Sequence, residues 1–408
     1  MAIKEFFAIP ARLRTWSMAL MGVGILSIII GFILYGTGEH PARFWASLLQ
    51  NSVYFLLVVN AAMFFICATT LAWGGWQLSF RRVTEAISVA VIPLGIIAFV
   101  ILICLVMLNT HIFHWIHPDA DDKILLGKAA FLNRPFFIIW TFFAIVLWMV
   151  LGHKMRQLSR SLDNNPLPDA ESGRRYIFKN TVWASLFIIW FALTVMSTVP
   201  WLWLMSIDAH WFSTMYSWYC FASTFVAGMA LITLFVVYLK NQGYLEYTNE
   251  EHIHDLGKFM FAFSIFWTYL WFSQYMLIWY ANIPEETIYF KARIATKNYT
   301  GAYSGVFWFM FIINFLAPLL ILMRSGSKRS YTTVTFMAIV ILFGHWLDFY
   351  QMIFASLFPK EVELNLFDFG VAAGFVGVIL FTVGKALTKF PLVAKNHPFI
   401  KESIIHHT

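Results

Sequence analysis

Long apolar runs recur along the whole chain, separated by short polar connections. A helix needs about 20 apolar residues to cross the hydrocarbon core of a bilayer. By that measure the pattern predicts spans over Trp16 to Tyr35, Val53 to Ala72, Ile87 to Leu108, Phe136 to Leu151 and Thr181 to Met205. Five more follow over Met215 to Leu239, Phe259 to Tyr280, Tyr303 to Met323, Tyr331 to Ile353 and Leu366 to Leu387. The expected fold is all-α: a polytopic integral membrane protein with ten transmembrane helices, forming one membrane domain over residues 1–408. The first run follows Lys4, Arg12 and Arg14, is too long for a signal-peptide core and has no A-x-A-like site after it, which predicts a retained helix.

The polar interruptions carry the remaining information. The sharpest is Met205 to Tyr219, MSIDAHWFSTMYSWY, which sets an acid, a histidine and several hydroxyls between two of the most apolar stretches. Its backbone and charges require a membrane surface or a protein-lined cavity. Lys and Arg in alternate connections divide 20 against 8, which predicts that both termini are cytoplasmic. The hinge, Ala120-Asp121-Asp122, Glu285-Glu286 and the stretch from Lys360 to Glu363 are then expected to face outward. The basic connection from Gly152 to Asn180, with Asn164-Asn165-Pro166-Leu167-Pro168, is expected to face inward. Trp201, Trp203, Trp211, Trp218, Trp279 and Tyr280 crowd span ends, as interfacial belts do.

Composition narrows the class. With 60% hydrophobic residues, 12% charged residues and a mean hydropathy of +0.71, the apolar surface exceeds what one soluble core can hide. The net charge of +7 is read through its placement, as membrane orientation and not as nucleic-acid binding. Cys67, Cys104 and Cys220 all lie in apolar runs without a CxxC, CxxCH or zinc spacing, so disulfide, haem c, iron–sulfur and zinc readings have no support. An internal duplication is expected on topological grounds. Residues 53–205 and 215–353 would form two parallel four-helix units, with the first helix (16–35) and the last (366–387) outside them.

The ionisable groups collect in the outer half. Asp208 and His210 sit in the hinge, Glu285 and Glu286 follow the seventh span, and Asp368 lies just inside the tenth. His345 and Asp348 share one face of the ninth span at i and i+3. These groups are expected to converge in a cluster reachable from outside. A charge in hydrocarbon costs at least about 2.5 to 3.5 kcal/mol, so Asp348 must face protein or water. Two readings of His345 and Asp348 stand: a proton or quinol-related relay, and a pair that locks helices together. Glu285 and Glu286 also suit a helix N-terminus after Pro284.

In the inner half, His153, Lys258 and Lys385 can snorkel from helix ends, and Asn314, Thr194, Ser197 and Thr198 are the deeper polar groups. No carboxylate continues the outer set inward, which disfavours a complete proton wire in this chain alone. His111, His114 and His117 form H-x2-H-x2-H in an aromatic-rich connection. That spacing admits an outward metal or haem contact, but an interfacial loop fits it better. A b-type haem needs intramembrane axial ligands, and His345 is the single deep histidine. Two classes remain: a cofactor-free membrane subunit of a respiratory complex, and a secondary transporter. Pro93, Pro200 and Pro318 do not match one another across a four-span offset, which weighs against the transporter. A quinol-binding anchor of another oxidoreductase is a further alternative.

Three motifs carry a resemblance. Met205-Ser-Ile-Asp-Ala-His-Trp-Phe-Ser-Thr214, Gln274-Tyr-Met-Leu-Ile-Trp-Tyr-Ala-Asn-Ile-Pro-Glu-Glu-Thr287 and Gly344-His-Trp-Leu-Asp348 resemble the F-subunit family of bacterial alternative complex III. That family lies within the polysulfide-reductase and nitrite-reductase membrane anchors, and the resemblance spans essentially the whole chain. It implies two four-helix bundles flanked by single helices, in the bacterial inner membrane. It also implies a complex that oxidises menaquinol and passes electrons to a cytochrome c or a terminal oxidase. Iron–sulfur clusters, c-type haems and menaquinol are expected on partner subunits: a sister quinol-oxidising membrane subunit, an iron–sulfur subunit and c-type cytochromes. For this chain the resemblance implies a supporting role without a redox centre or cofactor of its own. A periplasm-facing proton half-channel through Asp208, His210, His345 and Asp348 would accompany that role.

Overall fold

A computed structural model of the chain describes residues 5–37, 41–108, 110–164, 166–295, 301–394 and 396–407. Lys4, Lys297 and Lys395 of the orientation count, and Asn165 of the long basic connection, lie outside the described residues. All regular structure among the described residues is helical. In chain order the helices are α1 (Ala11–Gly31), α2 (Ala42–Leu71), α3 (Arg81–Val89), α4 (Val91–Met107), α5 (Lys123–Lys128) and α6 (Arg134–Asn164). They continue with α7 (Ala170–Leu193), α8 (Thr214–Asn241), α9 (Glu250–Ala281), α10 (Pro284–Lys291), α11 (Ser304–Phe311) and α12 (Ala317–Leu322). The last four are α13 (Ser325–Arg329), α14 (Tyr331–Leu357), α15 (Leu366–Leu387) and α16 (Ile400–Ile404).

Nine helical segments among the described residues are long and apolar enough to cross a membrane, as befits a multi-pass membrane protein. The predicted span Phe259 to Tyr280 falls inside α9, a 32-residue helix that is not one of those nine. Helix α9 begins where the Asn249 side chain accepts hydrogen bonds from the Glu251 and His252 N–H groups, at 3.0 and 3.2 Å. It stops at Asn282, whose φ of 49° is the left-handed conformation that ends helices, and Pro284 starts the next one.

The three intraspan prolines are accommodated by local helix geometry. Pro93 lies in the first turn of α4, after a break at Ala90, where a missing N–H costs least. Helix α7 runs on to Asp208 through π-helical turns at Thr194–Thr198 and Pro200–Leu204, and Pro318 follows a π-turn at Ile312–Leu316. Each widened turn absorbs a carbonyl that a proline ring would otherwise strike.

Helices α8 and α2 form the centre: 94% and 83% of their most apolar 18-residue windows are buried. Helix α2 packs against α4 and α7, and α6 packs against both of those. Helix α8 packs against α9 and α14, while α12 bridges α9 and α14. Contacts of α2 with α8 and α14 join the two sets. Three polar rungs tie α2 to α14 across that join: Tyr54 donates to the Leu342 carbonyl (2.7 Å), Gln50 to the Trp346 carbonyl (3.1 Å) and Trp346 to Asn51 (2.9 Å).

Helix α15 lies outside, against α1, α2 and α3. Only 17% of the α1 window is buried, and α1 meets α15 through small residues, with Gly24 against Gly374 and Ser27 against Gly370. A side chain at Gly24 would collide with the Gly374 backbone, so backbone proximity is the contact itself.

Candidate functional site

Four fully buried side chains from three helices meet around the carboxylate of a fifth, Asp348. Helix α14 supplies His345 and Asp348, one turn apart; α8 supplies Tyr219 and Ser223, also one turn apart; α9 supplies Trp267. The spacing on α8 and α14 puts each pair on the face turned toward its neighbour. Asp348 accepts hydrogen bonds from the Tyr219 hydroxyl, the Ser223 hydroxyl at 3.0 Å and Trp267 Nε1 at 3.0 Å. His345 Nδ1 lies 3.0 Å from Ser223 Oγ and 3.7 Å from Asp348 Oδ2. The serine oxygen therefore bridges imidazole and carboxylate. Convergent donors are what a carboxylate needs when protein replaces water around it.

The bridge is open at one end. His345 Nε2 and both amide atoms of Asn314 are buried without a hydrogen-bond partner among the described residues. Asn314 lies in the π-turn of Ile312–Leu316 and presses on Gly344, the residue before His345, where any side chain would clash with its amide. Such groups are the kind that ordered water satisfies in protein interiors.

The other end is aromatic and basic. Tyr219 packs beside Tyr216, which meets Tyr289, and Tyr289 stacks on Trp211 with ring centres 4.4 Å apart. Arg293, 1% exposed, sits 3.6 Å over the Tyr289 ring and donates to the carbonyls of Tyr289 (2.6 Å), Gln351 (2.9 Å) and Met352 (3.3 Å). It thus places a cation one turn beyond Asp348 on α14. Burial pushes the Tyr289 phenol up to about 12 against the pull of Arg293, so this side chain remains a neutral donor.

The other expected site residues fall elsewhere, and the outer acids do not form one cluster. Asp368, in the first turn of α15, accepts from the N–H of the capping residue Asn365 and pairs with Arg43 of α2 at 2.6 Å, with Glu363 3.4 Å from the same guanidinium. The separation follows from packing: α15 lies against α1, α2 and α3, whereas Asp348 looks into α8 and α9. His210 is exposed and lies 2.7 Å from Asp122, which caps α5. The Leu125 N–H, aided by His210, holds the Asp122 carboxyl below its ordinary range. Asp208 is half-buried, and beside it Lys128 donates to the Ala209 carbonyl at 2.6 Å.

The hinge packs on α14 and α10. Met205–Asp208 packs on α14, and Trp211 Nε1 donates to the Glu286 carbonyl at 3.2 Å. It meets α10 through that backbone group and the Tyr289 ring. The Glu285 carboxylate points to solvent from the first turn of α10, a position that stabilises the helix end.

Several decisive residues carry little sequence signal. Tyr219 closes the hinge motif and Ser223 follows it by one turn, so hydroxyls at i and i+4 in an apolar helix were the available clue. Trp267 is one of many aromatics inside an apolar span, and Arg293 reads only as one of the outward charges. In the inner half, Thr194 and Thr198 accept from the indoles of Trp148 (2.9 Å) and Trp140 (2.8 Å), a structural use of both hydroxyls. His111, His114 and His117 are exposed, and no group of three metal-ligating side chains occurs among the described residues. No family model matches the chain, and no curated protein does.

Proposed function

We propose that this chain is a membrane subunit of a menaquinol-oxidising respiratory complex of the alternative complex III type, supporting a sister quinol-oxidising subunit and moving protons through Asp348. The carrying observation is the fully buried Asp348 with its donors Tyr219, Ser223 and Trp267 and the serine bridge to His345. An ionisable group kept inside a membrane protein at a cost of several kcal/mol marks a pathway by default. The serine bridge gives the step its chemistry: a proton on His345 Nδ1 passes to Ser223 Oγ as the serine proton passes to Asp348 Oδ2. Tyr219 marks the outward exit, and the open His345 Nε2 and Asn314 mark the inward face.

The reading includes ten spans, with α9 as the seventh, and both termini in the cytoplasm of a bacterial inner membrane. The helix pairings support two four-helix bundles, α2 with α3/α4, α6 and α7, and α8 with α9, α11/α12 and α14, flanked by α1 and α15. Haem c, iron–sulfur clusters and menaquinol belong to partner subunits in this reading, and the chain itself carries none.

Mild solubilisation of native membranes followed by affinity capture of this chain tests the assignment. Co-purification with c-type haem and iron–sulfur proteins is expected. Recovery of the chain free of redox-active partners, in a form that moves a solute in liposomes, would overturn it.

A further inference from the structure

On the Lys/Arg-rich side, where α7 enters the membrane, a cavity of about 1010 Å³ opens between α7 and the segments around Trp73 and Asn396. Arg174, Arg175 and Lys179 line it together with the apolar side chains of Ile177 and Phe178. Phe178 and Trp73 are 69% and 62% exposed, and the long apolar run of α7 begins at Thr181. The cavity therefore has basic groups at the height of lipid headgroups and an apolar wall running toward the acyl region. Its two acids are engaged: Glu171 pairs with Arg175 at 3.1 Å, and Asp169 caps α7 through the Ser172 N–H at 2.7 Å. Arg174 and Lys179 make no ion pair among the described residues.

A smaller cavity, sharing Trp73 and Ile177 with the first, carries the positive charge inward to Arg81. Arg81, Arg82 and Arg156 are 3–4% exposed and Arg160 is half-buried beside them, yet Glu85 and Asp163 are the carboxylates they face. The ion pairs are Arg81–Glu85 and Arg82–Glu85 at 3.1 Å and Arg82–Asp163 at 2.6 Å, while Arg156 turns to the Ser88 hydroxyl at 2.9 Å. Arg81 Nη2 is buried without a partner among the described residues. Four guanidinium groups against two carboxylates leave an excess of buried positive charge, which is costly without a counter-ion. His397, which also lines the smaller cavity, registers that potential: burial together with Arg81 and Arg82 depresses its pKa to about 3.

We infer that this basic cavity binds the phosphate-bearing headgroup of an anionic phospholipid, with Arg174 and Lys179 contacting the phosphate and Phe178 and Trp73 flanking the acyl chains. Arg81 supplies the attraction from behind. Basic pockets at this level of a membrane protein suit such headgroups. The inference requires only that the chain is embedded in a bilayer, so it stands or falls separately from the respiratory assignment.

The full chain purified in mild detergent and titrated with phosphatidylglycerol, followed by native mass spectrometry, tests it. Wild-type protein should retain phosphatidylglycerol in preference to phosphatidylcholine, and inorganic phosphate should not displace it. The double variant Arg174→Gln/Lys179→Gln, whose exposed positions leave folding intact, should bind phosphatidylglycerol about tenfold or more weakly, as loss of two surface cations predicts. A matching thermal unfolding midpoint in the variant excludes misfolding as the cause. Equal retention by variant and wild type, equal binding of the two lipids, or displacement by inorganic phosphate would each overturn the inference.

Discussion

Trp267 Nε1 lies 3.0 Å from Asp348 Oδ2, and both side chains are fully buried. An indole well inside the span Phe259 to Tyr280, with no charge or motif to single it out in the sequence, thus donates to a buried carboxylate. The substitution Trp267→Phe keeps a large ring against Trp271 and His345 while deleting the donor. It should destabilise the chain by about 1–3 kcal/mol, the cost of leaving a buried acceptor short of a hydrogen bond. Thermal unfolding in detergent reads this directly, and an unchanged midpoint would mean that the contact contributes nothing.

The α1–α15 contact depends on glycine. Gly24→Val drives side-chain atoms into the Gly374 backbone, and α1 has little other burial to hold it. Overpacking of this kind costs about 1–3 kcal/mol. The expected result is detachment of α1 while α2 to α15 remain folded, seen as faster hydrogen exchange and proteolysis confined to residues 11–36. Global unfolding of the variant would contradict the peripheral placement.

Arg43 and Asp368 form a buried pair, with side chains 5% and 0% exposed. Removing one partner strands a charge, so Arg43→Met or Asp368→Leu alone should cost about 3–5 kcal/mol. The double variant should recover much of that loss, because neither charge is then left alone. A double-mutant cycle by thermal or denaturant unfolding measures the coupling, and additive losses would show that the pair is not a unit.

How much of this was legible in the sequence depends on whether a local pattern or a long-range contact decides the feature. Helix positions and the hinge follow from hydropathy, and the caps at Asn249 and Asn282 are local chemistry. The pairing of His345 with Asp348 is likewise local, since i and i+3 share a helix face. The acids expected to converge do not, because shared depth in a membrane is not shared location. Asp368 is drawn to Arg43, 325 positions away, and that partner has no sequence signature. Ser223 and Trp267 reach Asp348 only through the packing of α8 and α9 on α14; the i, i+4 spacing of Tyr219 and Ser223 hints at the first, and no periodicity announces the second.

His397 gives the Lys/Arg-rich end of the molecule a pH dependence. Its folded pKa of about 3 lies below the ordinary 6.5, with burial the leading cause and Arg81 and Arg82 adding to it. A base held neutral by folding leaves stability intact above pH 6.5. As pH falls from about 6.5 toward 3, the unfolded form takes up a proton that the folded form refuses, and stability declines. Undocking of the segment from Asn396 to Phe399, followed by hydrogen exchange, should therefore rise across that interval. His397→Gln should flatten the profile; an identical slope in the variant would assign the effect to another group.

The most direct measurement is proton stoichiometry and quinol turnover of the proposed quinol-oxidising complex carrying Asp348→Asn, with its assembly and haem content compared with wild type. The amide keeps the size of the side chain and can still accept a hydrogen bond, but it cannot take up the proton that the proposed path brings through Ser223. Turnover reduced by about tenfold or more, or proton transfer per electron lost while electron flow continues, is the predicted result, in line with the usual contribution of a positioned proton-transfer group. Wild-type turnover together with wild-type stoichiometry would contradict a proton path through Asp348 and leave the buried network as a lock between α8, α9 and α14.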